Sequence, residues 1–451
     1  MMPRQLTQGG VFRTVVVFSL PYLLSYFLQT LYGMVDLLIV GHYNGAAVIS
    51  AVAIGSQLMH MLMVILVGLA MGTTVLVSRA VGAGDIAKAA RVIGNSALLF
   101  LLVSAAATVL LLACLPLIVR VMATPQESVA QTRHYLMICF AGIPFITAYN
   151  VIAAMFRGLG DSKSPLCFVA VACAANIVLD YVLIGVLGLQ AAGAALATVL
   201  SQALSVVVSL CAWRRSRTAL ALARADFRAD RQTMRALLGI GVPVACQDGF
   251  IQVSFLLITV IANRRGVDVA AAVGIVEKII SFLFLVPSSM LSAIAAIAAQ
   301  NLGAGEHRRA RQTLWYGTAI ALAFGAAFAV GFQFAAKPVL QLFTKDSAVI
   351  LLGTQYLKSY VFDCVFAAVH FSFSGFFCAY GFSVVSFIHN ACSIVAVRVP
   401  GAWLASRLYP QTLYPMGWAA PLGSLLSALI CIVAYLLLVH RGTLGKAQCQ
   451  K

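Results

Sequence analysis

Residues 93–119 read IGNSALLFLLVSAAATVLLLACLPLIV, a long run without one charged side chain. A helix rises about 1.5 Å per residue, so this run can cross the roughly 30 Å hydrocarbon core of a bilayer. Comparable runs recur along the chain, which is 62% hydrophobic and only 10% charged. An ordinary soluble domain is about 25% charged and cannot hide so much apolar surface. The sequence therefore predicts an all-α integral membrane protein.

Twelve apolar runs lie between clusters of turn-forming and charged residues. The predicted transmembrane spans are 11–40, 46–78, 93–119, 131–156, 164–185, 190–212, 239–262, 269–299, 313–336, 350–378, 383–407 and 417–440. The longest polar segment is rich in arginine and separates the first six spans from the last six. The predicted organisation is an N-lobe over 1–212, a linker over 213–238 and a C-lobe over 239–451.

Basic residues predict the topology, since Lys and Arg concentrate in cytoplasmic loops. With the N-terminus inside, the even-numbered loops and both termini hold about twenty Lys and Arg, and the odd-numbered loops about eight. The linker arginines then lie inside: Arg214, Arg215, Arg217, Arg224, Arg228, Arg231 and Arg235. We expect both termini in the cytoplasm and the chain in a bacterial cytoplasmic membrane. The net charge of +17 follows from this topology, so no nucleic-acid partner is expected.

An internal repeat relates the two halves. The repeated pairs are Pro21 and Pro243, residues 82–85 (GAGD) and 303–306 (GAGE), and Gly160 and Gly381. Six spans per half is an even number, so both halves have the same orientation and the repeat axis runs along the membrane normal. The predicted fold is therefore twelve transmembrane helices in two pseudo-symmetric six-helix lobes with a central cleft.

The repeated Gly-Ala-Gly-acid segments are predicted helix stops. Gly84 suits the left-handed position that ends span 2, with Asp85 capping the next helix, and Gly305 with Glu306 repeats the arrangement. No strand precedes either segment and no Lys-Ser or Lys-Thr follows, which argues against a nucleotide-binding loop and an ATP-driven pump. The eleven cysteines occur singly, so we expect no structural metal, no disulfide set and no cofactor.

Five of the thirteen acidic residues fall inside predicted spans: Asp36, Asp180, Asp248, Glu277 and Asp363. An ionised carboxylate is costly at membrane depth, so each must face a cavity, a partner or a bound cation. Two basic residues are candidate internal charge partners: Arg398 in span 11, and Lys278 beside Glu277. Because such a partner would neutralise Glu277, it makes Glu277 a weaker functional candidate.

The acids of spans 1 and 5 predict a small cluster rich in oxygen. Asn176 and Asp180 are four residues apart, so one helix face presents an amide and a carboxyl together. Asp36 lies at a similar outward depth in span 1. Two carboxyl groups in a medium of low dielectric constant either hold a proton or jointly ligate Na⁺. The residues leave both alternatives open.

At these residues the sequence resembles the multidrug and toxic compound extrusion family over essentially the whole chain. The resemblance is carried by residues 35–42 (VDLLIVGH), 157–161 (RGLGD), 176–184 (NIVLDYVLI) and 193–198 (GAALAT), together with the repeated Gly-Ala-Gly-acid loops. It implies two lobes that alternate between inward- and outward-open states. The implied function is the export of amphipathic, often cationic drugs or toxic metabolites in exchange for H⁺ or Na⁺, by a non-enzymatic and monomeric protein in the lipid bilayer.

The resemblance also implies further members of the N-lobe cluster. Gln29, Tyr135 and Thr198 match positions that join the two acids in similar family members. If the coupling ion is Na⁺, the expected ligands are Asp36, Asn176, Asp180 and Thr198, and no other metal is expected. Pro21, which permits a bend in span 1, is the expected hinge that the cation biases.

The second half departs from the family pattern, because residues 379–382 (AYGF) lack the basic Gly-x-Gly loop, ending in Pro, that the first half retains. We therefore keep Asp248, Glu277 and Asp363 only as secondary coupling candidates. One alternative function is a related flippase for lipid-linked precursors. Such a flippase is expected to have many basic residues in the cleft between its lobes. A membrane-embedded transferase, which needs clustered acids for Mg²⁺ or a His-Asp pair, and a conducting channel are weaker alternatives.

Overall fold

The computed structural model describes residues 6–122, 124–215, 220–442 and 444, and these residues form helices and turns without a strand. The first half contains α1 (Val11–Tyr43), α2 (Ala46–Gly82), α3 (Ile86–Val121), α4 (Val129–Ala141), α5 (Ile143–Gly158), α6 (Lys163–Asp180) and α7 (Gln190–Arg215). The second half contains α8 (Arg231–Asn263), α9 (Val267–Leu283), α10 (Leu285–Gly303), α11 (His307–Gln341), α12 (Ser347–Tyr360), α13 (Asp363–Tyr380), α14 (Ser383–Ser393), α15 (Val399–Leu408), α16 (Tyr414–Gly417) and α17 (Ala419–His440).

The prediction of twelve apolar spans is confirmed. Within the described residues, 11 helical stretches are long and apolar enough to cross a membrane. A twelfth span is formed by α4, with the short turn before it, and α5, which meet at an angle of 47°. The protein is therefore an all-α, multi-pass membrane protein.

Span 4 is broken where the sequence predicted one continuous helix over 131–156. The break lies directly before Pro144, which occupies the first turn of α5. Proline is tolerated there because the first turn of a helix does not need its backbone N–H group. At the same point a Cβ on Gly142 would lie 2.3 Å from Val199, so glycine lets α7 pack closely there. Pro21 and Pro243, by contrast, lie inside helices that remain continuous.

The predicted helix stops are confirmed in part. Gly84 and Gly305 both have left-handed backbone angles, with φ of 72° and 78°. The Asp85 carboxylate accepts a hydrogen bond of 2.8 Å from the Lys88 amide and so caps α3. Glu306 makes no such bond to α11, so only the first segment has the complete arrangement.

Small residues allow close helix packing in both halves. A Cβ on Gly72 of α2 would lie 2.4 Å from the Leu237 carbonyl oxygen of α8. A Cβ on Gly375 of α13 would lie 2.3 Å from the Leu291 carbonyl oxygen of α10. Close backbone approach through glycine is typical of helices packed in a bilayer, where dispersion contacts replace the hydrophobic effect.

The chain divides into two compact units. The first unit contains Leu20–Gly241, and the second contains Leu6–Ser19 together with the chain from Val242 onward. The first turns of α1 thus belong to the second unit, and the first turns of α8 belong to the first unit. The predicted lobes instead assign all of span 1 to the N-lobe and all of span 7 to the C-lobe. The chain passes between the units immediately before Pro21 and Pro243.

Part of the Arg-rich linker is fixed to the first unit. The Asn95 side chain of α3 donates to the carbonyl oxygens of Asp226 and Arg228, at 3.4 and 3.2 Å, and accepts from the Asp230 amide at 2.8 Å. Arg217 lies outside the described residues. In the second unit the Leu6 amide donates to Gln300 Oε1 at 2.6 Å, so the segment before α1 is held in a corresponding way.

Candidate functional site

Asn176 and Asp180 lie on one face of α6, as their spacing predicted, and their side chains are buried at 1% and 0% exposure. The helix does not end there. It continues as a π-helical segment, Tyr181–Val186, directly after Asp180. Such segments widen the backbone locally and are frequent at functional sites.

Asp36 of α1 meets Asp180 inside the first unit. Asp36 is 4% exposed, and the two carboxyl groups are close enough to interact directly. We call Asp36 and Asp180 the acid pair. The structure thus brings together the two carboxylates that the sequence placed on separate spans.

Several polar atoms of this cluster are buried without a protein partner. They are Oδ1 of Asp36, both carboxyl oxygens of Asp180, and Oδ1 and Nδ2 of Asn176. Buried polar atoms are hydrogen-bonded in the great majority of proteins, so a concentration of unpartnered oxygens marks a place for a ligand. Carboxyl and amide oxygens suit a proton or a hard cation.

Tyr135 of α4 lies beside the acid pair. It interacts with Asp36 and with the Cys139 thiol, and is 2% exposed. A Cβ on Gly55 of α2 would lie 2.3 Å from the Tyr135 ring, so glycine at this position makes room for the ring. Tyr32, one turn before Asp36 on α1, also interacts with that carboxyl group.

Sequence reasoning missed Tyr32 and Cys139, because single tyrosines and cysteines are common inside apolar spans. The 32-to-36 spacing on one helix face was the available signal for Tyr32. Two expected members bond elsewhere: Gln29 interacts with Tyr149, and the Thr198 hydroxyl donates to the Ala194 carbonyl oxygen at 3.1 Å.

The acids of the second unit have a different environment. Asp363 is fully buried and forms a salt bridge of 3.9 Å with Arg398. Arg398 also donates a hydrogen bond of 2.8 Å to the Tyr360 hydroxyl and lies 4.9 Å from the centre of the Phe255 ring. Arg398 ends a second π-helical segment, Ile394–Arg398, between α14 and α15.

Glu277 of α9 completes this group. Its carboxylate accepts a hydrogen bond of 3.3 Å from the Thr259 hydroxyl and interacts with Arg398. We call Asp363, Glu277 and Arg398 the arginine cluster. The expectation that Arg398 is an internal partner is confirmed. The Lys278 side chain is exposed and attracts the Glu277 carboxylate less than Arg398 does.

Asp248, the remaining candidate, is half-buried on α8 and forms no ion pair with any described residue. Its neighbour Gln247 is 1% exposed, and both polar atoms of that side chain are buried without a partner. Asp248 thus belongs to neither the acid pair nor the arginine cluster.

Twelve apolar spans in two like halves, with carboxylates buried inside them, define a membrane transporter. A family model described as MatE matches residues 21–182 and again 243–404, and each match begins at a proline. The two matches cover more than half of the chain. The protein therefore belongs to the multidrug and toxic compound extrusion family, which confirms the resemblance noted in its sequence.

Several relatives resemble the chain over most of its length. The probable multidrug resistance protein YpnP of Bacillus subtilis is 28% identical over 89% of this chain and 91% of its own length. The multidrug export protein MepA of Staphylococcus haemolyticus is 24% identical over 83% and 82%. A solved outward-facing multidrug resistance transporter of the same family matches with a TM-score of 0.90 at 21% identity over 97% of each chain, a likeness of fold.

Proposed function

We propose that this protein is a secondary active antiporter that exports amphipathic, often cationic drugs or toxic metabolites in exchange for H⁺ or Na⁺. Membership of the family and the names of relatives such as YpnP and MepA support multidrug efflux. The partners are small amphipathic molecules and the lipid bilayer, with no nucleic acid, no cofactor and no enzymatic step. The working form is a monomer.

The observation that carries this proposal is the acid pair. Its carboxyl groups lie together inside the first unit, and no basic side chain forms an ion pair with them among the described residues. Two buried carboxylates repel each other strongly, so the pair favours a state that has taken up a positive charge. A proton or Na⁺ that arrives from outside supplies that charge.

Coupling requires that the cation bind one conformation more tightly than the other. Asp36 lies on the same helix as Pro21, which is near the point where α1 passes from one unit to the other. Binding at Asp36 therefore acts on a helix that both units share. In this proposal Pro21 is the hinge, and Gln29, Tyr135, Asn176 and Thr198 support the acid pair.

The topology belongs to the same proposal, with both termini and the Arg-rich linker in the cytoplasm. A cysteine introduced at exposed Ala229, after replacement of the native thiols, tests it. An impermeant reagent should label this position only in opened cells. Labelling in intact cells would overturn the topology.

Drug efflux from proteoliposomes under separately imposed proton and sodium gradients tests the function. The purified protein should move an amphipathic cation uphill when one gradient is imposed, and Asp36→Asn should not. Transport of a lipid-linked precursor without any drug transport would instead identify a flippase.

A further inference from the structure

The described part of the Arg-rich linker, from Leu220 onward, is folded onto the first unit. Leu220 and Leu222 pack against a buried apolar cluster formed largely by α2, α3 and α5. A short 3₁₀ helix follows, Arg224–Phe227, and the Asp226 carboxylate accepts a hydrogen bond of 2.8 Å from the Ala223 amide at its start. The linker is therefore a folded element with an inner apolar side.

Two neighbouring residues of α3 hold the linker backbone in place. The Asn95 side chain makes three hydrogen bonds to backbone groups of the linker. A Cβ on Gly94 would collide with the Asp226 carbonyl oxygen, so glycine lets the linker lie directly against the helix. Both residues lie about one turn beyond Arg91, the last charged side chain before the uncharged run 93–119 begins. The linker thus crosses α3 where the hydrocarbon core of the bilayer is expected to start.

The helix that carries the linker lies at the lipid-facing periphery of the protein. In the most apolar 18 residues of α3, only 22% are buried inside the protein, so most of this helix faces lipid. Leu101 and Leu102, about two turns beyond Asn95, have exposed side chains. A segment that lies against the first turns of α3 is therefore next to the lipid headgroups.

Four exposed arginines follow one another along this segment, and we call them the linker patch: Arg224, Arg228, Arg231 and Arg235. None of the four forms an ion pair with a residue that the structure describes. Arg231 and Arg235 are one turn apart and share a face of α8. Phe227, between the first two arginines, is also exposed, which adds an apolar side chain to the same surface.

The two acidic residues of the segment bind backbone amides instead of the linker patch. The Asp230 carboxylate accepts hydrogen bonds from the amides of Gln232 and Thr233, at 3.2 and 3.1 Å, and so caps α8. Asp226 binds the amide at the start of the 3₁₀ helix. Four arginines against two aspartates leave residues 224–235 with a net charge of +2. A cytoplasmic location favours basic residues, but it requires neither a fixed backbone nor unpaired arginines.

We propose that the linker patch binds the phosphate groups of anionic phospholipids in the adjoining leaflet, with Phe227 directed toward the acyl chains. A guanidinium group is always charged and donates paired hydrogen bonds to phosphate oxygens. Because Asn95 and Gly94 already hold the backbone, little conformational freedom is lost when the lipid binds. This inference goes beyond the proposed antiport and takes from it only the topology, which makes the leaflet the cytoplasmic one.

Titration of the purified full-length protein with phosphatidylglycerol in detergent, followed by native mass spectrometry, tests the linker patch. The parent should bind phosphatidylglycerol more tightly than zwitterionic phosphatidylcholine. Arg231→Gln combined with Arg235→Gln should lower the affinity for phosphatidylglycerol about 25-fold, or about fivefold for each arginine removed. Both arginines are exposed, so the double variant should fold as the parent does.

Arg308→Gln combined with Arg311→Gln is the matched control. These are two exposed arginines of α11 in the second unit, so the same charge is removed and the affinity should stay at the parent level. Asn95→Ala keeps the whole linker patch but releases it from α3, and should lower the affinity several-fold. Equal affinities of the parent for the two lipids, or equal losses in the two double variants, would overturn the proposal. The measurement uses no drug and no ion gradient, so either result would leave the antiport standing.

Discussion

The acid pair and the arginine cluster differ in what neutralises their carboxyl groups. In the second unit, Asp363 has a basic partner built into the chain, Arg398, at 3.9 Å. In the first unit, no basic side chain among the described residues forms an ion pair with Asp180, although the carboxyl oxygens of Asp180 and Asp363 alike lack a hydrogen-bond partner. A repeated fold has thus produced one site with a built-in positive charge and one that has no basic partner among the described residues. We therefore propose the second kind, the acid pair, as the site that couples ion binding to transport.

The two π-helical segments sharpen this comparison. Each lies in the fifth span of its half and adjoins the charged group that distinguishes the half. Tyr181–Val186 follows Asp180 directly, whereas Ile394–Arg398 ends on the arginine itself. The same backbone irregularity therefore accompanies an acid in one unit and a base in the other.

The largest effect is expected from Asp36→Asn, which keeps the size of the side chain and removes its charge. Coupled export should be abolished while the folded protein remains in the membrane. Drug resistance in a sensitive host, normalised to the amount of protein in the membrane, measures this. Glu127→Gln, at an exposed acid of the same unit, is the control and should export normally. Near-normal resistance from Asp36→Asn would remove Asp36 from the mechanism.

Arg398→Ala should act mainly on stability. It leaves the carboxylates of Asp363 and Glu277 buried without their partner, and breaking a buried ion pair in this way costs about 3–5 kcal/mol. Thermal unfolding in detergent should show a large drop in the midpoint, and Asp363→Asn combined with Arg398→Ala should recover part of it. An Arg398→Ala protein as stable as the parent would mean that the arginine does not neutralise this cluster.

Gly55→Ala tests how Tyr135 is held beside the acid pair. The added Cβ would lie 2.3 Å from the Tyr135 ring, so the ring must move and export should fall several-fold. Gly33→Ala is the matched control, because nothing lies within 4 Å of a Cβ at that position on α1. Equal export rates for the two variants would show that the position of Tyr135 is not critical.

Pro21→Ala should have the smallest effect of the four. It restores a backbone donor inside α1 and stiffens the helix where it passes between the units, without removing a group from the acid pair. Export should slow while cation binding by the purified protein is kept. The rate of drug efflux from proteoliposomes measures this, and a rate equal to that of the parent would exclude Pro21 as the hinge.

Much of the fold was predictable because hydrophobic length and turn chemistry act locally. Twelve apolar runs, and glycines such as Gly84 that end helices, leave direct marks in the sequence. The break at Gly142 leaves no such mark in the sequence, because it depends on the close approach of Val199 from another helix, α7. The π-helical segments have no sequence signal that we could identify.

The candidate site was predictable where a charged residue lies inside an apolar span. Carboxylates such as Asp36 and Asp180 stand out inside apolar spans, and so does Arg398. The sequence could not pair Arg398 with Asp363, because that contact joins different spans. In the sequence, a tyrosine such as Tyr149 cannot be distinguished from a residue that only packs between helices. Only the structure shows that Tyr149 interacts with polar residues of α1.

We propose that the acid pair, and not the arginine cluster, binds the coupling cation. Spin labels at Gln126→Cys in the first unit and Lys345→Cys in the second, in a protein without native cysteines, test it by electron–electron distance measurements. The distance distribution should change with saturating cation or with pH in the parent and in Glu277→Gln. It should not change in Asp36→Asn or Asp180→Asn. If both asparagine variants respond as the parent does, the acid pair is not the coupling site, and Asp248, Glu277 or Asp363 must take that role.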